Sequence, residues 1–107
     1  KELDELNIIL LDKLDRCIVE IDNFVYFLSY LEGVIISKVK LFSPLIGLHM
    51  KNEKLLILEE TGLKLVDGNG KINQKLETDL VVNFSLTNDI LELWFLDDRK
   101  KRIELLF

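Results

Sequence analysis

Chemistry in this sequence would have to start from two residues that occur once each, His49 and Cys17. A metal site or a nucleophile–base pair needs partners held within bonding reach. His49 stands in LIGLHMK with no second histidine and no cysteine near it, and reads as a surface or half-buried strand residue. Cys17 lies among apolar residues and reads as an inert packed thiol; alone, it forms no internal disulfide. DGNGKI at 67–72 resembles the start of a calcium loop, with Asp67 and Asn69 as alternate oxygen donors. Its fifth position is Lys71 and its twelfth Thr78, where ligands are needed, so it reads as a tight hairpin turn. The acid pairs Glu59-Glu60 and Asp97-Asp98 sit in no apolar pocket that would raise a carboxylate pKa. RKKR at 99–102 follows two aspartates with no aromatic interleaved, and reads as a solvated hairpin tip rather than a phosphate grip. No G-x-S-x-G, P-loop or G-x-G-x-x-G occurs. The expectation is therefore a protein without catalytic, cofactor-binding or metal-binding residues, and not an enzyme.

The elements that would position these residues are bounded by the totals. At 107 residues, 49% hydrophobic and 31% charged, the chain has the composition of one globular domain. The net charge of −5 is concentrated: residues 1–33 carry eight acids and three bases, whereas residues 34–107 carry eleven of each. An acidic N-terminal third makes a nucleic-acid surface there unfavourable. The longest uncharged run, LFSPLIGLHM at 41–50, is too short to span a bilayer. The chain opens without methionine or a signal-like run, as a piece with an upstream segment removed would, so membrane attachment is expected only through such a missing segment.

Apolar residues recur at Leu10, Leu14, Cys17, Ile21, Phe24, Leu28, Leu31 and Ile35, spaced 4-3-4-3-4-3-4, with Leu3 and Leu6 extending the stripe. This spacing predicts a helix over 1–32, uninterrupted until Gly33. Such a helix is ~45 Å long at 1.5 Å per residue, against a radius of gyration of roughly 13 Å for a compact domain of this size. Its charged half, residues 1–16, is expected to project and to offer Leu3, Leu6, Leu10 and Leu14 to protein partners. Its aromatic half, around EIDNFVYFLSYLE at 20–32, is expected to dock on a sheet. Beyond Gly33 the period changes to two. LIGLHM, KLLILEE, LKLV and DLVVNFSL read as strands, and ILELWFL with RIELLF reads as a hairpin whose Leu91, Leu93, Phe95, Ile103, Leu105 and Phe107 point inward. The fold class expected is α+β: one long N-terminal helix packed on an antiparallel meander, in a single domain spanning 1–107 with residues 33–107 as a β-rich head.

EIDNFVYFLSYLEGVIIS at 20–37, with TDLVVNFSLTNDILELWFLDDRKKRIELLF at 78–107, resembles the soluble part of type IV pilin-like minor pilins and pseudopilins. That resemblance implies a structural subunit of a pilus or pseudopilus at the cell envelope or in an extracellular filament, assembling with other protein subunits through its N-terminal helix. A weaker likeness runs through ISKVKLFSPLIGLHMKNEKLLI at 36–57, where Lys40, Leu41, Phe42, Leu45 and Gly47 are similar to the RWD heads of outer-kinetochore subunits. It implies a coiled-coil-plus-RWD interaction module.

Overall fold

The computed structural model describes residues 7–11 and 15–107, with side chains from residue 15 onward. It is all-β. Eleven strands form three antiparallel sheets: β1 (Asn7–Leu11), β2 (Arg16–Ile21), β3 (Phe24–Ser29) and β4 (Val34–Lys40) in the first; β5 (Leu45–Lys51), β6 (Lys54–Glu59), β7 (Gly62–Val66) and β8 (Ile72–Glu77) in the second; β9 (Val81–Thr87), β10 (Ile90–Phe95) and β11 (Lys100–Glu104) in the third. Each sheet is a meander in which consecutive strands pair.

The expected α+β class is thereby corrected. No helix occurs among the described residues, and residues 16–29, the heart of the expected helix, form a hairpin with Cys17 opposite Leu28 and Ile21 opposite Phe24. Its turn is Asp22-Asn23, and Asp22 takes φ 56°, a left-handed conformation that Asp tolerates better than most residues. The segment is rich in β-branched and aromatic residues, which suit a pleated surface. Its 4-3 stripe arises because both faces of this sheet are apolar, so residues of either phase supply a match to helical spacing. Ile18, Val25 and Phe27 point inward and are fully buried, while Val19, Phe24, Tyr26 and Leu28 lie on the other face.

The sheets stack face to face through two apolar layers. Between the first and second lie Ile18, Val25, Phe27, Val39 and Leu41 against Leu55, Ile57 and Val66. Between the second and third lie Leu56, Leu58, Leu63 and Leu65 against Val81, Leu91, Leu93, Phe95, Ile103 and Leu105. Leu91, Leu93, Phe95, Ile103 and Leu105 thus point inward as the sequence predicts, and Phe107 packs at the margin of the layer. The middle sheet contributes to both layers, which is why KLLILE and GLKLV read as unbroken apolar runs rather than alternating ones. Gly62 is required by close packing: a Cβ there would come within 2.7 Å of the Leu76 carbonyl on β8.

Leu65, wholly buried in the second layer, tests this arrangement. Leu65→Ala is expected to lower the unfolding free energy by about 2–5 kcal/mol in urea titrations, whereas truncating exposed Leu80 on the β8–β9 connection should cost far less.

Candidate protein-interaction surfaces

The DGNG turn between β7 and β8 is where the first two sheets are clasped. Asp67 Oδ1 accepts the Asn69 and Lys71 N–H groups at 2.9 and 3.0 Å, closing the turn on itself. Gly70 sits at φ +82°, and a Cβ there would lie 2.3 Å from Ser37 Oγ and 3.3 Å from the Phe27 ring. Ser37 Oγ donates to the Asn69 carbonyl at 2.5 Å; Arg16 donates to the Gly68 carbonyl at 3.1 Å and to Asn69 Oδ1 at 2.7 Å. Asp67 Oδ1, Asn69 Oδ1 and the carbonyls of Asp67, Gly68 and Asn69 are thus committed to structure.

A second tie is ionic. Glu59 and Lys64, diagonal neighbours on β6 and β7, form an ion pair with both side chains 3% exposed. Glu59 Oε1 also accepts the backbone N–H groups of Phe42 and Ser43, at 2.6 and 3.2 Å, and so holds the connection between the first and second sheets. The Lys64 ammonium lies 4.7 Å from the centre of the Phe42 ring, which is itself 68% exposed. The sequence reading put Glu59 in no apolar pocket; the structure instead buries it, through a contact with a segment 16 residues away that spacing alone does not reveal.

The outward face of the first sheet is apolar. Register places Cys17 beside Leu28, Val19 beside Tyr26, and Ile21 beside Phe24, all half-buried, with Lys38 and Lys40 opposite Tyr26 and Phe24. The Phe24 and Tyr26 rings lie 5.9 Å apart, and the Lys38 ammonium sits 4.8 Å from the Phe24 ring centre. The face continues into exposed Ile35 on β4 and the β3–β4 tip, where Leu31 is 79% exposed. Asp15 anchors that tip: it accepts the Ser29 hydroxyl and, at 2.9 Å, the Leu31 N–H. Ser29 Oγ in turn accepts the Glu32 N–H at 3.1 Å. The Ser29 hydrogen bond, reinforced by the Leu31 N–H and the nearby Arg16 charge, holds the Asp15 carboxyl below its ordinary 3.8. The outward face of the third sheet is of the opposite character, with Glu92, Trp94, Lys100, Arg102 and Glu104 on β10 and β11 and a Lys100–Glu92 ion pair at 3.0 Å.

Of the leucines expected to bind partners, Leu3, Leu6 and Leu14 lie outside the described residues; Leu10 falls in β1, opposite Cys17. His49 lies on β5 with its ring edge-on to Phe107 at 5.9 Å. Cys17 is half-buried on the outward face of the first sheet. Among the described residues no three His, Cys, Asp or Glu side chains converge as metal ligands would. In the RKKR run, Arg99 bonds Asp97 and Asp79, and Lys100 bonds Glu92.

No protein-family model matches the sequence, and no curated protein matches it. Solved structures do. BamB from Moraxella catarrhalis superposes over 92% of this chain and 31% of its own, with a TM-score of 0.62 and 12% identity. Kluyveromyces lactis Hsv2 does so over 89% and 31%, with a TM-score of 0.61 and 12% identity. The N-terminal domain of Nup159 does so over 94% and 27%, at 0.63 and 20%. These neighbours are β-propellers. The three sheets have the fold of consecutive propeller blades. The chain spans about a third of the length of these neighbours. This likeness, with the absence of a helix among the described residues, overturns the reading as a minor pilin or pseudopilin of a type IV pilus, and gives no support to the RWD alternative.

Glu59 and Asp15 each give a testable outcome. Glu59→Gln strands the Lys64 charge in an apolar layer and is expected to cost about 3–5 kcal/mol, read by chemical denaturation. The Asp15 contribution has a definite sign. Because its folded pKa is lowered, the stabilisation is complete above the ordinary value of 3.8 and is lost as pH falls through the lower folded value. The protection factor of the Leu31 amide, which corrects for the intrinsic pH dependence of exchange, should therefore fall below that ordinary value in the wild type, and should be low and free of this pH step in Asp15→Asn.

Proposed function

We propose that this chain supplies consecutive blades of a β-propeller-type scaffold that binds proteins and carries out no catalysis. The observation that supports this reading most is the outward face of the first blade. Its Val19, Ile21, Phe24, Tyr26 and Leu28 match in character the inward residues Ile18, Val25 and Phe27, which the second blade covers. A sheet face of this kind in a propeller stack is covered by another sheet, and the occupant proposed is a further blade-like sheet with an apolar face. Large apolar patches of this sort on soluble domains mark interaction surfaces. The polar outward face of the third blade is a poor complement to it, so a head-to-tail stack of identical copies is disfavoured and a different partner favoured.

The non-catalytic part of the proposal rests on where the reactive residues lie. His49 packs on Phe107, Glu59 is neutralised by Lys64, and Asp67 is spent on its own turn. His49→Ala and Cys17→Ser, made separately, are expected to leave cellular function intact; loss of function with the fold retained would overturn this part.

The binding part is tested by Phe24→Asp with Tyr26→Asp. Both side chains lie on the outward face, so the double variant should keep a cooperative β-type circular dichroism melt. It should nevertheless drop out of the native assembly in size-exclusion chromatography of the co-purified complex. Unchanged co-elution would contradict the reading.

A further inference from the structure

Asn69 precedes Gly70 in the turn that clasps the first two blades. Asn-Gly is the dipeptide in which an asparagine side chain is most readily lost as ammonia, because glycine sets no side chain around its own backbone nitrogen and leaves the chain free to rotate. The Asn69 side chain is exposed, so water reaches it. Whether the chemistry runs depends on how the Gly70 nitrogen lies relative to the Asn69 side-chain carbon.

The folded turn holds the two apart. The Gly70 N–H donates to the Asp67 carbonyl at 3.0 Å, which closes a β-turn with Gly68 and Asn69 at its centre. Neither central residue has a positive φ, so the turn is type I and Asn69 takes a ψ of about 0°. At that angle the Gly70 nitrogen lies to one side of the Asn69 amide carbon, and a five-membered ring closes only after ψ rotates far from the turn value. Such a rotation breaks the Gly70–Asp67 hydrogen bond and swings the Asn69 carbonyl away from Ser37 Oγ, its donor at 2.5 Å. The amide itself is activated, since Arg16 Nη2 donates to Asn69 Oδ1 at 2.7 Å and draws electrons from Cγ. What keeps the side chain intact is the placement of the backbone nitrogen, and Ser37 on the first blade helps to fix it.

We propose that Asn69 is a modification site gated by the clasp between the first and second blades: it deamidates when the clasp opens, and the isoaspartate formed keeps the clasp open. In the open turn the Gly70 nitrogen gives its proton to hydroxide and attacks Asn69 Cγ. The new C–N bond closes a succinimide, the Cγ–Nδ2 bond breaks, and the side-chain nitrogen leaves as ammonia with a proton from water. A second water then opens the ring at one of its two carbonyls. One opening gives aspartate, whose carboxylate can take the Arg16 guanidinium as the amide did. The other gives isoaspartate, in which the main chain runs through the former side chain and gains a methylene. The turn has no room for that: a Cβ on Gly70 alone would come within 2.3 Å of Ser37 Oγ and 3.3 Å of the Phe27 ring. The carbonyl that accepted Ser37 also leaves the main chain and becomes part of a free carboxylate. The inference is independent of the partner-binding reading, because it concerns a tie between two blades of this chain.

The test is peptide mapping by mass spectrometry of the native chain held at mildly alkaline pH, beside a synthetic peptide of residues 64–74. Chromatography separates the aspartyl and isoaspartyl products. Asn69 in the native chain should deamidate more slowly than in the peptide by roughly tenfold or more; equal rates overturn the proposal. Ser37→Ala removes the donor to the Asn69 carbonyl and leaves Arg16 in place. It should raise the native rate about fivefold, as the loss of one hydrogen bond allows, and an unchanged rate in the folded variant overturns the gating. Should that variant not fold, the wild type is held in urea below its unfolding transition, where the rate should rise in step with hydrogen exchange of the Gly70 amide. A rate indifferent to that exchange overturns the proposal equally. The isolated isoaspartyl form should lose protection of the Gly70 and Lys71 amides, which the turn holds through Asp67, while Ile57 and Leu65 stay protected. Asn69→Asp should keep both sets. Full protection of Gly70 in the isoaspartyl form overturns the claim that the product holds the clasp open.

Discussion

The structure depends on a middle sheet that must be dry on both faces. β6 and β7 present Leu55, Ile57 and Val66 to one neighbour and Leu56, Leu58, Leu63 and Leu65 to the other. A sheet of this composition is not stable by itself in water, since either bare face would expose a layer of leucine and isoleucine. Its stability is therefore conditional on the blades either side, and theirs on it. The one polar intrusion, Glu59 with Lys64, is tolerated because each charge has its partner and the carboxylate also takes two backbone N–H groups from the connection to the first blade. That choice spends some hydrophobic energy and in return fixes where the Phe42–Ser43 connection must lie.

The closing hairpin was legible because its strands alternate cleanly, whereas β8 (Ile72–Glu77) was not read as a strand. In ILELWF and RIELLF, Glu92 and Glu104 interrupt the apolar positions, so period two outweighed a helical reading, and the buried residues came out as Leu91, Leu93, Phe95, Ile103 and Leu105. DGNG was legible as a turn because glycine and asparagine there have few other uses; its role as a clasp was not, because Arg16 and Ser37 come from strands far away in sequence. Residues 16–29 misled for a physical reason. A strand apolar on both faces has no amphipathic phase, and a 4-3 series can be picked out of nearly continuous apolar sequence. The better signal was composition, with Ile18, Val19, Ile21, Val25 and the aromatics Phe24, Tyr26 and Phe27, together with Asp22-Asn23 as a turn. The aromatic excess that suggested a docking helix is the mark of a blade covered on one side by its neighbour and apolar on the other.

The two outer blades finish differently. The first ends on aromatics and aliphatics, with a tip pinned by Asp15; the third ends on crossed charges over Trp94. Identical copies stacked in a row would bring an apolar face against a charged one, a poor match of surfaces.

Three stacked blades share one cooperative core centred on β6 and β7. Native-state amide hydrogen exchange measures this residue by residue. Amides of β6 and β7 should exchange only through global unfolding, with β2 and β3 close behind in the cross-strand pattern of a hairpin, and with the outward amides of β11 exchanging fastest within the third blade. Uniform protection across residues 16–32 in the manner of a continuous helix, or exchange of the first blade independent of the second, would contradict it.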